Sequence, residues 1–187
     1  MAPPFDKLLV LDLDETLVHS RYSGEQERPE RAPDHYLDDI VTWERPGVRA
    51  FMDWCLDTFA GVGVWTVGSR SYADELLPLI CDTDRLAFVY ARDRCTRKRN
   101  FETWEEYWIK DIQKLRKFGF PKSKILCVDD SPEKFERSYG NYVPVMPYEG
   151  DPEDRELEQL TRYLEMLGPV SDVRSIEKRW WRITSPP

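Results

Sequence analysis

Residues 8–18, LLVLDLDETLV, set an aliphatic run directly against two carboxylates spaced two positions apart, and no other stretch restricts the fold as much. Leu8, Leu9, Val10 and Leu11 are apolar without alternation, the pattern of a strand covered on both faces. Asp12, Asp14 and Glu15 cannot share that burial, because an unpaired carboxylate in a core is strongly destabilising. The strand is therefore predicted to end as the acids begin, with Glu15, Thr16 and Leu17 turning the chain away. In a parallel sheet wrapped by helices, ligands bind beyond the carboxyl ends of the strands. The same stretch thus marks a candidate active site.

The rest of the chain supplies the partners of such a strand. Residues 20–45 are polar and charge-dense and read as a flap, with short strands near 35–37 and 40–43. Pro46-Gly47 opens a helix in which Val48, Phe51, Met52, Cys55, Leu56 and Phe59 form one apolar stripe, and Gly61 is expected to stop it. Residues 62–67 read as a second buried strand ending in Thr66. A helix over 71–82 carries Pro78, followed by a strand over 86–91 and a basic loop over 92–100. A helix is predicted over 102–118, with Trp104, Trp108, Ile112 and Leu115 available for packing. A strand over 124–128 then ends in Asp129-Asp130, and residues 142–146 add a fifth. Asp151-Pro152 is expected to cap a last helix with Leu157, Leu160, Leu164 and Leu167 on its apolar face. The tail (Lys178, Arg179, Trp180, Trp181, Arg182) is read as tryptophans folded back under arginine stems, with a partner-binding anchor as the alternative.

Strands alternating with helices predict an α/β fold, a doubly wound parallel sheet, in one domain over 1–187. The flap insertion falls at about 20–45, and the C-terminal helix and tail at about 151–187. The span from Asp12 to Thr66 already contains a helix, which leaves too little chain for a large cap domain. The site is expected to be open to a bulky substrate.

With 27 basic and 35 acidic residues the net charge is −8, which opposes general binding to nucleic acid or anionic membranes. Any anion site must be built from a few basic groups. The four cysteines include no C-x-x-C and the two histidines complete no zinc spacing, so buried thiols in a reducing compartment are expected. Acids interrupt the N-terminal apolar stretch, and no run approaches the ~20 apolar residues of a membrane span. The expected location is the cytoplasm, or the nucleus in a eukaryote, without secretion.

Four predicted strands end in polar residues: Asp12 and Asp14, Thr66, the Arg92 region, and Asp129 with Asp130. If the chain winds one way through the first three strands and returns beside the first, Asp12 and Asp129 become neighbours at the switch point. Clustered carboxylates repel one another unless a cation lies between them, and an all-oxygen site suits Mg²⁺. Lys110, in YWIKDI, and the hydroxyl of Thr66 are candidates for holding an anionic substrate.

LVLDLDETLVHS, the threonine of VWTVGSRSYAD, the lysine of WIKDI and ILCVDDSP resemble, in order and spacing, the haloacid dehalogenase (HAD) superfamily of phosphohydrolases. ERPGV, YAD, the R-x-x-C of residues 92–95 and VDDSP are similar to the branch of small phosphatases of the RNA polymerase II C-terminal domain. The likeness covers roughly residues 7–150. It implies that Asp12 attacks phosphorus and forms an aspartyl-phosphate, and that Asp14 is the general acid and base. It implies Mg²⁺ held by Asp12, the main-chain carbonyl of Asp14 and Asp129, with Asp130 a further candidate ligand where that branch usually has Asn. Thr66 and Lys110 would grip phosphoryl oxygens. Tyr22 and Tyr72 would wall a peptide substrate, and Arg92 would sit beside the phosphate. The implied substrate is a phosphoserine or phosphothreonine protein or peptide. The flap and the long basic segment between Arg92 and Lys110 depart from the branch. Two alternatives therefore stand beside it: a phosphatase of nucleic-acid ends or small metabolites, and a non-catalytic phosphopeptide-binding relative.

Overall fold

In the computed structural model, which describes residues 3–184, the aliphatic run forms the C-terminal part of β1 (Phe5–Leu11), buried from Lys7 onward. β1 lies at the centre of a five-stranded sheet. The chain leaves β1 through a small antiparallel sheet of β2 (Val18–Tyr22), β3 (His35–Leu37) and β4 (Ile40–Glu44). This is the flap, with its short strands where the sequence places them. α1 (Val48–Thr58) then leads into β5 (Phe59–Trp65), α2 (Arg70–Ile80) and β6 (Phe88–Tyr90).

A hairpin of β7 (Thr96–Arg99) and β8 (Glu106–Ile109) follows, then β9 (Ile125–Asp129), β10 (Tyr142–Pro144) and α3 (Glu156–Leu167). The main sheet runs β10-β9-β1-β5-β6, and its neighbours all pair in parallel. The chain winds outward from β1 through β5 to β6 and returns on the other side of β1 as β9. The switch point therefore lies between β1 and β9, the crevice where doubly wound sheets bind ligands.

Alternate residues of β1 feed two cores. Leu9 and Leu11 join Val48, Met52, Leu76, Leu160 and Leu164 on the face covered by α1, α2 and α3. Leu8 and Val10 join Trp65, Phe88, Ile112, Leu115 and Cys127 on the other face. No large cap domain is present among the described residues, and no helix among them is long and apolar enough to cross a membrane.

Several local expectations are corrected. Gly61 does not stop α1; the helix ends at Thr58, and Gly61 lies inside β5. The close approach of neighbouring side chains explains the glycines there. A Cβ at Gly61 would come within 3.1 Å of Leu8, and one at Gly63 would run into the Phe88 ring.

Residues 102–118 do not form one helix. Residues 106–109 are β8, and a 3₁₀ segment (Ile112–Phe118) follows, ended by Gly119 in the left-handed region. The basic stretch of 92–100 is not a loop throughout, because it becomes β7. Arg97 and Arg99 pair across the hairpin with Glu106, and Lys98 pairs with Glu136. Cross-strand ion pairs and the β-favouring Tyr107, Trp108 and Ile109 outweigh local helix propensity.

Asp151-Pro152 does not cap α3, which starts at Glu156. Asp154 Oδ1 accepts the Glu156 N–H at 3.0 Å there, and the same carboxylate forms a salt bridge with the buried Arg45 at 2.8 Å. In the tail, Trp181 is buried, stacks on Tyr163 at 5.1 Å between centroids and lies under Arg182, whereas Trp180 is largely exposed.

Candidate active site

The acidic tip of β1 is held by its neighbours. The Asp12 N–H donates to Val128 O at 2.9 Å, so the chain still runs beside β9 as it leaves the strand. Glu15 then adopts the left-handed region at φ 54°. This backbone state is costly for a non-glycine residue, and it is held by hydrogen bonds on both sides of the turn. Glu15 N–H donates to Val18 O and Leu17 N–H to Leu13 O. The Glu15 carboxylate is fixed by His19 and Arg21. The turn sends the carboxylates of Asp12 and Asp14 into different surroundings.

Asp12 faces β9. Lys110 Nζ lies 2.7 Å from Asp12 Oδ1 and 2.6 Å from Asp129 Oδ2, bridging the tips of the two central strands. Lys134 Nζ bridges the opposite oxygens, 2.8 Å from Asp12 Oδ2 and 3.1 Å from Asp129 Oδ1. Asp129 Oδ1 also accepts the Ser131 N–H at 2.9 Å. Asp12, Asp129 and Lys110 are essentially inaccessible to solvent. Burial alone would raise the Asp12 pKa, but the two ammonium groups outweigh it and hold that carboxyl below its ordinary range. Burial, followed by the charge of Asp12, pushes Asp129 upward. Burial opposes the charge on Lys110 and Lys134, yet the facing carboxylates raise both.

Asp14 faces the flap and α2. Its Oδ2 accepts the Thr66 hydroxyl at 3.0 Å and its Oδ1 accepts the Tyr72 hydroxyl at 2.7 Å. Thr66 directly follows β5, and its Oγ1 also accepts the Gly68 N–H at 2.8 Å. Ser69 caps α2 by accepting the Tyr72 N–H, which orients the tyrosine toward Asp14. The Tyr72 hydroxyl shares a 2.6 Å hydrogen bond with Ser20, which in turn shares one of 2.8 Å with Thr42. Burial first, and the Asp12 charge second, push the Asp14 carboxyl up to about 6 against the hydrogen bonds from Tyr72 and Thr66.

Asp14 also lines an open cleft of about 370 Å³ with Ser20, Tyr22, Gly68, Tyr72 and Arg92. Tyr22 and Arg92 are exposed there, and Arg92 Nε donates to Val67 O.

The residues read from the sequence thus fall into two adjoining groups. Asp12, Asp129, Asp130 and Lys110 meet at the switch point, while Asp14, Thr66, Tyr72, Tyr22 and Arg92 line the side toward the flap. Lys110 is not on a helix, as the sequence suggested, but directly follows β8. Its N–H donates to Lys134 O at 2.7 Å.

Lys134, Ser20 and Gly68 were not singled out by the sequence. Lys134 did leave a signal in DDSPEK: a lysine four positions after an acid that needs a counter-charge. Gly68 left none, because its role is spatial. A Cβ there would sit 3.1 Å from both Thr66 Oγ1 and the Tyr72 ring.

One carboxylate oxygen from each of Asp12, Asp129 and Asp130 can lie within 4.8 Å of the others. Asp130 Oδ1 is buried and accepts no hydrogen bond from the described residues, with Lys134 Nζ 3.5 Å away. An all-oxygen set with an unsatisfied acceptor fits a hard divalent cation such as Mg²⁺. The Asp14 carboxylate is turned away from this set toward Thr66 and Tyr72.

A sequence model described as NLI interacting factor-like phosphatase matches residues 7–174. The CTD small phosphatase-like protein 2 of Dictyostelium discoideum is 29% identical over 170 residues, covering 89% of this chain and 28% of that protein. The human carboxy-terminal domain RNA polymerase II polypeptide A small phosphatase 1 is 29% identical over 179 residues, covering 94% of this chain and 65% of its own. This chain therefore spans from about a quarter to two-thirds of these relatives. Among solved structures, a variant of the fission yeast RNA polymerase II CTD phosphatase Fcp1 bound to beryllium fluoride is similar over 96% of this chain and 49% of that one. Its TM-score is 0.56 at 16% identity, a likeness of fold.

Proposed function

Since the chain belongs to the NLI interacting factor-like phosphatase family, we propose that it hydrolyses phosphate monoesters through a phosphoryl group carried on Asp12. Its preferred substrates on this reading are phosphoserine or phosphothreonine in proteins. The observation that carries the proposal is the division of two neighbouring carboxyls between opposite environments. Two ammonium groups keep Asp12 ionised, whereas burial raises Asp14 to about 6. Carboxyl groups driven apart in this way take different roles in one reaction.

Asp12, anionic and fixed at a strand tip, attacks phosphorus. Asp14, protonated on the side of the open cleft, gives its proton to the departing alkoxide. It then takes a proton from the water that hydrolyses the acyl phosphate. Covalent catalysis splits one difficult displacement into two easier ones, and the acid removes the penalty of expelling an alkoxide. Thr66 holds Asp14 in place and offers its hydroxyl at the strand end. Lys110, fixed between Asp12 and Asp129, neutralises charge close to the attacking oxygen. Mg²⁺ held by Asp12, Asp129, Asp130 and the Asp14 carbonyl would supply further positive charge to the phosphoryl oxygens.

A protein substrate fits the open cleft and the small flap. The human relative carries an RNA polymerase II polypeptide in its name, and a phosphorylated peptide is the corresponding class proposed for this chain. In the basic run of 92–99, the feature that favours a polynucleotide, Arg97 and Arg99 share Glu106 and Lys98 pairs with Glu136, which lowers the charge open to a phosphate backbone.

The test is a panel of phosphopeptides, 3′-phosphorylated oligonucleotides and sugar phosphates, assayed with Mg²⁺ alongside the Asp12→Asn protein. Phosphopeptides are expected to turn over fastest, and Asp12→Asn is expected to lower kcat by roughly 10³-fold or more, an order of loss seen when a reacting group is removed. Equal turnover across the panel would remove the peptide preference. Unchanged turnover in Asp12→Asn would remove the mechanism.

A further inference from the structure

Lys134 stands where a divalent cation would have to bind. Its Nζ lies 2.8 Å from Asp12 Oδ2, 3.1 Å from Asp129 Oδ1 and 3.5 Å from Asp130 Oδ1. These are the three residues whose oxygens gather into the candidate metal set. We infer that Lys134 is a resident competitor for the metal: its ammonium group and a divalent ion are alternative occupants of one position, so metal entry requires the Lys134 side chain to withdraw. This rests on the metal reading given above.

Both cations cannot share the position. A protonated amine has no lone pair to offer a metal, and Mg²⁺ draws its oxygens in to about 2.0–2.1 Å, far tighter than an ammonium contact. Two positive centres held by the same oxygens would also repel strongly.

The structure shows which part is able to move. The Lys134 main chain is fixed, with its carbonyl accepting the Lys110 N–H at 2.7 Å and its N–H donating to Ser131 O. The next residue, Phe135, is buried and stacks on Tyr142. The side chain is freer. It is 16% exposed, against 1% for Lys110, and its four-carbon stem can carry the ammonium out toward solvent. Lys110 contacts the opposite oxygens of Asp12 and Asp129 and stays in place when metal binds, and the ion supplies Asp12 with the positive charge that Lys134 takes away.

Two consequences follow. The metal-free protein has its carboxylates partly neutralised and folds without an ion. Its metal affinity is lower than the same acids would show without the lysine.

The test is titration calorimetry of the protein with MgCl₂, comparing the wild type with Lys134→Met and Lys134→Gln. Both variants are expected to bind Mg²⁺ at least tenfold more tightly than the wild type. Their metal-free forms are expected to melt lower and to gain more in Tm on adding Mg²⁺. Unchanged or weaker Mg²⁺ affinity in the variants overturns the inference.

A second measurement uses only the wild type, so it does not depend on the variants folding. Reductive methylation followed by peptide mass mapping should modify Lys134 several-fold faster with Mg²⁺ than without, while Lys110 stays protected. Equal rates for Lys134 overturn the inference while leaving metal binding intact. Absence of Mg²⁺ binding in every form overturns the metal reading and the inference with it.

Discussion

Replacing Tyr72 by Phe removes one hydroxyl from the site and leaves the ring that packs there. That hydroxyl donates to Asp14 Oδ1 at 2.7 Å, and the bond favours the ionised carboxylate. A hydrogen bond to a charged group contributes about 1.5–3 kcal/mol, and one pKa unit corresponds to about 1.4 kcal/mol. Loss of the bond should therefore raise the Asp14 pKa by about 1–2 units from its present position of about 6. Burial and the Asp12 charge, which already push it upward, are unaffected by the change. In the phosphoryl-transfer step Asp14 acts as an acid, so activity is lost as pH rises through its pKa. Raising that pKa moves the loss to higher pH.

The assay is the pH dependence of kcat/KM, which reports the free enzyme up to the first irreversible step. An alkyl phosphate, whose leaving group needs a proton, should show the alkaline limb displaced upward by one to two units in Tyr72→Phe. With 4-nitrophenyl phosphate the displacement should be muted, because nitrophenolate leaves without full protonation. The substrate's own titration is common to both enzymes and cancels in the comparison. Ser20→Ala is the control for rearrangement, since Ser20 also bonds the Tyr72 hydroxyl. An alkaline limb that stays in place or moves downward for the alkyl ester refutes the assignment of Asp14 as the acid.

Arg45 ties the turn after β1 to two later segments, donating to Thr16 O, Met146 O and both Asp154 oxygens while fully buried. Arg45→Met should cost about 3–5 kcal/mol, as expected when one partner of a buried ion pair is removed, and chemical denaturation should show it; a loss under about 1 kcal/mol contradicts the role. Gly68→Ala places a methyl 3.1 Å from Thr66 Oγ1 and the Tyr72 ring. It should lower kcat several-fold with little change in Tm, and unaltered steady-state kinetics would show that the contact is immaterial.

The edge of the sheet was legible in the sequence, and the secondary structure covering one of its faces was not. Strand tips could be read because burial and charge exclude each other. Where an apolar run meets Asp12 or Asp129, the strand must stop, and parallel pairing with right-handed crossovers brings those stops to one edge. The helices over 48–58 and 156–167 are readable from their apolar stripes, although α3 starts later than Asp151-Pro152 suggests. The residue that accepts the Glu156 N–H at the helix opening is Asp154, held there by Arg45, a partner 109 positions away.

On the second face Ile112 and Leu115 pack as the sequence suggests, but a hairpin and a 3₁₀ segment stand in for the expected helix, for the same kind of reason. Residues 96–99 and 106–109 pair with each other through Arg97, Arg99 and Glu106, and no helical window contains that pairing. Lys110 consequently reaches the site from the end of a strand instead of from a helix, while its neighbours Asp12 and Asp129 stay as the strand tips dictate.

The same division bears on Lys134. Its spacing from Asp130 was visible, but an acid and a lysine four positions apart usually mark a solvated helical face. Only the convergence of β1 and β9 turns that ordinary pair into an ammonium group among three carboxylates. The lysine most distinctive of this site was therefore written in local sequence, and its meaning was supplied by a contact 122 positions long.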